Sequence, residues 1–212
     1  EVGIDPYLLG TVFENMLPEH ERGAKGTFYT PPDEIRFIIR RAISNYLRLN
    51  GFDLKDGVNG DTFNDGISEY IQKLGSSKNF ADLDEFKAKL LDAVVVDPAV
   101  GSGGFIVYYM DEVVRIINEA ELAVLGEETP PKLLKAKIMN NLYGFDIESE
   151  AVEIARLRVW LSYVIDKDNP EPLPNLDLNF VTVNDSLFRF THTSLENDHT
   201  KLAELRRIGN HY

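Results

Sequence analysis

The most constraining stretch of this chain is 93–105, AVVVDPAVGSGGF. Ala93, Val94, Val95 and Val96 run without a polar interruption, the pattern of a short strand buried on both faces of a parallel sheet. Asp97 and Pro98 end it. Gly101, Ser102, Gly103 and Gly104 then make a turn, and glycine adopts left-handed backbone without steric penalty. From Phe105 onward, Ile106, Val107, Met110, Val113, Val114 and Ile117 recur at helical spacing. Strand, glycine turn and helix in this order form a nucleotide-type cofactor site at the carboxyl edge of a parallel sheet.

Several ligand chemistries compete for such a turn. A dinucleotide fingerprint requires a third glycine, and that position holds Ile106. A phosphate-cradling loop ends in Gly-Lys-Ser/Thr, and there is no lysine here. A phosphate-free cofactor whose positive charge tolerates the acid at Asp97 fits better, and S-adenosylmethionine, with its sulfonium and amino groups, is one. The plainer alternative is a turn that only packs a helix on a strand.

Composition narrows the class. A chain of 212 residues that is 43% hydrophobic suits one large domain, or one domain with an appendage. With no cysteine there is neither a disulfide framework nor a thiolate metal site, which fits a reducing, cytoplasmic home. No apolar run reaches membrane-spanning length, and there is no signal-peptide pattern. The four histidines, His20, His192, His199 and His211, form no metal-ligand pattern, so no metal site is expected. A net charge of -13 argues against a stand-alone nucleic-acid binder, although a partner region can supply the basic surface. The chain opens on Glu1 and is expected to be a piece of something longer.

In chain order, residues 5–17 repeat Leu8, Val12 and Met16 at helical spacing, with Leu9 and Phe13 beside them. Residues 21–30 read as a glycine-broken loop. A helix then opens with Thr30 as N-cap, Pro31 in the first helical position and Asp33 three residues on, like a capping box. Its apolar face is read as Ile35, Ile38, Ile39, Ala42 and Tyr46. Residues 51–78, polar and glycine-rich around a short helical pattern at 67–74, look like an insertion or an inter-lobe connection. Leu83, Phe86 and Leu90 mark the last helix before the central strand, and residues 133–139 form a further helical turn or two.

A second strand, NLYGF at 141–145, ends at Asp146. The helix after it carries Glu148 and Glu150 at its start, and its sheet-facing side is read as Ile154, Leu157, Trp160, Leu161 and Val164. In a doubly wound sheet Asp146 lies beside the glycine turn, where a carboxylate takes ribose hydroxyls; the alternative is a helix-capping aspartate with no ligand. A third strand at 178–183, LNFVTV, leads to Asn184, Asp185 and Ser186, and Asp185 could accept from an adenine amino group. A helical core at Leu202, Leu205 and Ile208 follows.

DPAVGSGGF, GFDIESEAVEIARLRVWLS and NDSLF resemble, in order, the first three cofactor motifs of the adenine-specific (N6) DNA methyltransferases of restriction–modification systems. GTFYTPP resembles the segment that those enzymes place before the fold, closing over the methionine end of the cofactor. The order is that of type I modification subunits and of fused restriction–modification enzymes, and the likeness covers most of 8–187. It implies a Rossmann-like α/β methyltransferase fold, mostly parallel, with a helical N-terminal lobe over 1–90 and a partial S-adenosylmethionine domain over 91–212. It also implies that Thr30, with Tyr29, touches the cofactor carboxylate. Asp97, Gly101 and Gly103, with Pro98 and Ala99 in the same stretch, would line the methionine part. Asp146 would hold the ribose, Ile147 pack on the adenine, and Asp185 and Ser186 lie at the adenine edge. Asn184 departs from the glycine common at that place in the family.

The family's Asn/Asp-Pro-Pro-Tyr/Phe motif, which holds the flipped target base, does not occur in these 212 residues. Thr30-Pro31-Pro32-Asp33 lacks both its amide and its aromatic ring. No catalytic residue is therefore assigned. The expectation is the cofactor part of a DNA adenine-N6 methyltransferase, inactive alone, whose contact with duplex DNA lies largely outside this chain and whose partners include specificity and restriction subunits. Two other readings stand beside it: a non-catalytic cofactor-binding or assembly module, and a nicotinamide-dependent oxidoreductase.

Overall fold

The computed structural model describes residues 7–10, 12, 30–55, 57–59, 62–164 and 175–183. Helix α1 spans Pro32–Leu49, the two-stranded hairpin β1 (Gly57–Asn59) and β2 (Thr62–Asn64) follows, and then come α2 (Ile67–Ser77) and α3 (Phe80–Asp92). The central unit is β3 (Val95–Asp97), α4 (Gly104–Leu125), α5 (Pro131–Ile138), a 3-10 turn at Met139–Asn141, β4 (Leu142–Asp146), α6 (Ser149–Val164) and β5 (Phe180–Thr182). β3, β4 and β5 pair in parallel in that order, with Val95 opposite Leu142 and Gly144 opposite Phe180. This is the Rossmann-like α/β arrangement expected from the sequence, with consecutive strands joined by helical crossovers.

The centre of the molecule is α4. Ile106, Val107, Met110, Val113, Ile116, Ile117, Ala120 and Val124 are buried around most of its circumference, as in a helix enclosed by others. α1, α2, α3, α5 and α6 all pack against it. One apolar cluster consequently runs from Ile35 on α1 through Phe86 on α3 to Leu142 and Phe180 in the sheet. No helix among the described residues is long and apolar enough to cross a membrane.

Several sequence readings are corrected. The 51–78 stretch, read as an insertion or an inter-lobe connection, contributes to the core: Ile67, Ile71 and Leu74 of α2 are buried in the main cluster, because α2 lies along α4. Thr30 is not the cap of α1. The helix begins one residue later, with Pro31 at the cap and Pro32 inside the first turn, and no side chain caps it. Its buried face is Ile35, Ile39, Ile43 and Leu47, whereas Ile38 and Ala42 are exposed. Ala93 to Val96 is not covered on both sides, since Val96 is 52% exposed and Val94 is exposed beside it. The face carrying Val95, Leu142 and Phe180 meets the core, and the described residues leave the other open. On α6 the buried positions are Ala151, Val152, Ala155, Arg158, Val159 and Ser162 rather than Leu157, and at Ala155 the helix passes close to Gly103 of the turn.

The helices at residues 83–90 and 133–139 are present as α3 and α5, and the strands at 141–145 and 178–183 as β4 and β5, with ends shifted by one to three residues. Within the first helical reading, residues 7–10 and 12 are helical. The loop at 21–29, residues 5, 6, 11 and 13–17 of the first helical reading, and everything after Val183, including the helical core at Leu202, Leu205 and Ile208, lie outside the described residues.

Candidate cofactor site

The site is built where β3 and β4 end side by side. After Asp97 the chain turns through Pro98 and Ala99, and the Asp97 carboxylate accepts from the Ala99 amide at 3.0 Å. Val100 is buried, and its amide donates to the Phe145 carbonyl of β4 at 2.8 Å. Gly101 and Gly103 are both left-handed, with φ of 51° and 85°, and the Gly103 amide donates back to the Val100 carbonyl at 2.8 Å. L-residues adopt such φ values only under strain, which explains the glycine pair. The two glycines differ in their surroundings. A Cβ at Gly101 would meet nothing within 4 Å among the described residues, so none of them covers the turn there; at Gly103 it would lie 3.0 Å from the Cα and Cβ of Ala155.

Asp146, the last residue of β4, reaches the turn. Its Oδ2 accepts from the Gly101 amide at 2.8 Å and its Oδ1 from the Glu148 amide at 3.0 Å, the second bond starting the turn into α6. One carboxylate thus ties the glycine turn to the neighbouring strand and keeps unused acceptor capacity on both oxygens. Ile147, next in the chain, is 62% exposed. Pro98 and Ala99 are exposed at the rim.

Thr30 is half-buried just ahead of α1, and α1 meets the start of α4: a Cβ at Gly104 would lie 3.6 Å from Ile35 Cδ1. The structure therefore brings Asp97, Pro98, Ala99, Gly101, Gly103, Asp146 and Ile147 to one end of the sheet, and Thr30 precedes the helix that meets the start of α4. Tyr29, Asp185 and Ser186 lie outside the described residues. No cluster of three or more potential metal ligands occurs among the described residues.

Burial raises the Asp97 carboxyl above the usual carboxylate range, the nearby Asp146 charge adds to the rise, and the Ala99 amide partly opposes it. A raised carboxyl favours the folded state when protonated, and that stabilisation is lost as pH climbs from the ordinary carboxylate value through the raised one. Asp97→Asn keeps an acceptor for the Ala99 amide and removes the charge. It is expected to melt above the unaltered protein at neutral pH, with the gap closing in acid below the ordinary carboxylate value. Thermal melts across pH check this, and a gap that does not change with pH would refute it.

Sequence reasoning missed the polar layer beneath the turn. Arg158 of α6 is buried, and its Nη1 donates to the Ser102 carbonyl at 2.9 Å and to the Ser102 hydroxyl at 2.8 Å. Asp111 of α4 pairs with Lys135 at 3.0 Å and accepts from the Ser162 and Tyr7 hydroxyls. Burial and the Asp111 charge push the Tyr7 phenol far above its ordinary value, so it stays a donor. An arginine at a buried position within ARLRVWLS was the available signal.

Residues 72–172 match the family model described as MmeI, DNA-methyltransferase domain. Among curated proteins, a putative type II restriction enzyme and methyltransferase of Methanocaldococcus jannaschii is 32% identical over 197 residues, 84% of this chain and 16% of that protein. DNA methyltransferase A of Bacillus subtilis is 23% identical over 163 residues, 75% of this chain and 16% of its own length. The chain thus spans about a sixth of the curated relatives it matches. No solved structure matches it. Together the family model and the relatives support a DNA methyltransferase of the restriction–modification type, and the parallel sheet with its crossover helices is a Rossmann-like methyltransferase fold.

Proposed function

From this methyltransferase match and the geometry at the strand ends, we propose that the chain is the S-adenosylmethionine-binding part of an enzyme that methylates the exocyclic amino group of adenine in duplex DNA. The observation that carries the reading is the Asp146 carboxylate bonded to the Gly101 amide, with no described residue over the turn at Gly101 and the exposed side chain of Ile147 beside it. Exposed isoleucine next to a carboxylate with spare lone pairs suits an adenosine, one face apolar and one edge rich in hydroxyls. The half-buried acid Asp97 suits a cation, since an approaching positive charge offsets the cost of its ionisation.

In this reading Asp146 accepts the ribose hydroxyls, Ile147 packs on the adenine ring, and Asp97, Pro98, Ala99, Gly101 and Gly103 line the methionine part. Thr30 and Tyr29 meet the methionine carboxylate, and Asp185 and Ser186 the adenine edge. The division into a helical lobe over 1–90 and a cofactor domain over 91–212 belongs to the same proposal, as do a cytoplasmic setting and specificity or restriction partner subunits. S-adenosylmethionine would supply a methyl group on a sulfonium. The chain's own residues bind and orient that group, and the base-holding motif is sought outside them. A nicotinamide dinucleotide is disfavoured because Ile106, at the third fingerprint position, is packed in the core, where a glycine would let helix and strand come closer.

Titration calorimetry tests the ligand. S-adenosylmethionine and its demethylated product are expected to bind, and NAD is not. NAD binding with no heat from the other two would overturn the reading.

A further inference from the structure

We propose that Arg158 is the positioning residue of the glycine turn, and that position 10 is glycine so that Arg158 can reach it; the effect on ligand rests on the cofactor reading above. Arg158 is 4% exposed, and its Nη1 holds Ser102, the residue between the two left-handed glycines, by both carbonyl and hydroxyl. Asp146 grips the same turn from β4 through the Gly101 amide. The two grips are spaced along one segment, since Asp146 precedes α6 and Arg158 lies within it. Glycine-rich backbone loses the most freedom on ordering. A turn already fixed by its own protein spares the ligand that cost, so the clamp acts on affinity and not only on stability.

The choice of residue supports this. A guanidinium is costly to desolvate, and an apolar side chain of similar volume fills a buried site more cheaply. Its fork, however, sets the direction of a carbonyl, which no apolar side chain can do. Gly10 is the second observation. It is buried in the helical stretch 7–10, and a Cβ there would overlap Nη1, Cζ and Nη2 of Arg158. Those atoms end a flexible side chain, so the arginine would give way and leave Ser102. Gly10→Ala therefore breaks the clamp from a distance of 92 positions in the chain without altering either clamped residue. For the helix alone the same change is favourable, because alanine is the better helix former.

The test compares the full unaltered chain with Gly10→Ala, Arg158→Met and Arg158→Lys. Two quantities are read: amide exchange at Gly101 and Gly103 without ligand, and calorimetric affinity for the demethylated cofactor product. Exchange is expected to rise and affinity to fall by about tenfold in Gly10→Ala and Arg158→Met, as for a lost hydrogen bond to a charged group. Arg158→Lys, which keeps the charge but not the fork, should fall between. The urea midpoint of Gly10→Ala should fall as well, since the displaced guanidinium loses both Ser102 bonds, but the affinity loss should not scale with the fall in midpoint across the three variants. Unchanged exchange in Gly10→Ala overturns the proposal whatever the ligand does, and so does affinity that only tracks stability across the three variants. If the unaltered chain binds neither S-adenosylmethionine nor its product, the cofactor reading fails, and the exchange rates still decide the clamp.

Discussion

Gly103→Ala is expected to destabilise the fold by about 2–5 kcal/mol, whereas Gly101→Ala costs only about 1–2 kcal/mol. Both glycines are left-handed, so both substitutions carry the same kind of backbone strain. Only Gly103 also faces a neighbour. Its Cβ would lie 3.0 Å from the Cα and Cβ of Ala155, and the Cα belongs to the α6 backbone, so relief requires moving the helix rather than turning a side chain. Moving α6 disturbs Arg158 and shifts the start of the segment that Asp146 anchors. Urea unfolding of the two variants side by side is the measurement. Equal losses would mean that α6 does not approach the turn as described.

Asp146→Ala is expected to weaken S-adenosylmethionine binding by about tenfold to a hundredfold, the loss of hydrogen bonds to a charged group. Alanine removes the acceptor of both the Gly101 and the Glu148 amide, so stability should also fall, by about 1–3 kcal/mol. Asp146→Asn separates the two effects. Its carbonyl oxygen can still serve one amide while the charge that favours ribose hydroxyls is gone. Calorimetry beside thermal melting should show affinity falling further than stability in the asparagine variant. A folded asparagine variant that binds as tightly as the unaltered protein would leave Asp146 with only its turn-holding and helix-starting bonds.

The parts of this molecule written in local signals were legible. The glycine turn declared itself because few residues tolerate positive φ, and α4 because its apolar residues recur at helical spacing from Ile106 to Ile117. The approach of Asp146 to the turn followed from parallel strand order. What depended on distant neighbours did not show. α2 looked like an insertion because its surroundings are polar in sequence, although its own Ile67, Ile71 and Leu74 pack on α4. The large residues of α6 drew attention to the wrong face, since the buried face carries the small Ala151 and Ala155, the latter in close contact with Gly103. Arg158 was invisible as a clamp because its partner, Ser102, is 56 positions away. Thr30 had the look of a cap, yet the second proline lets the helix begin one residue later.

Five helices lean on α4, and the same α4 begins at the glycine turn. Among the described residues the early helices and the sheet therefore share one core through α4, on both sides of the boundary proposed near residue 90. A protease attacking the described residues would find no soft joint between α3 and β3, where Leu90, Leu91 and Ala93 are buried. On the cofactor reading, occupancy of the turn is expected to add rigidity to α1, α2 and α3, whose buried faces share one core with α4.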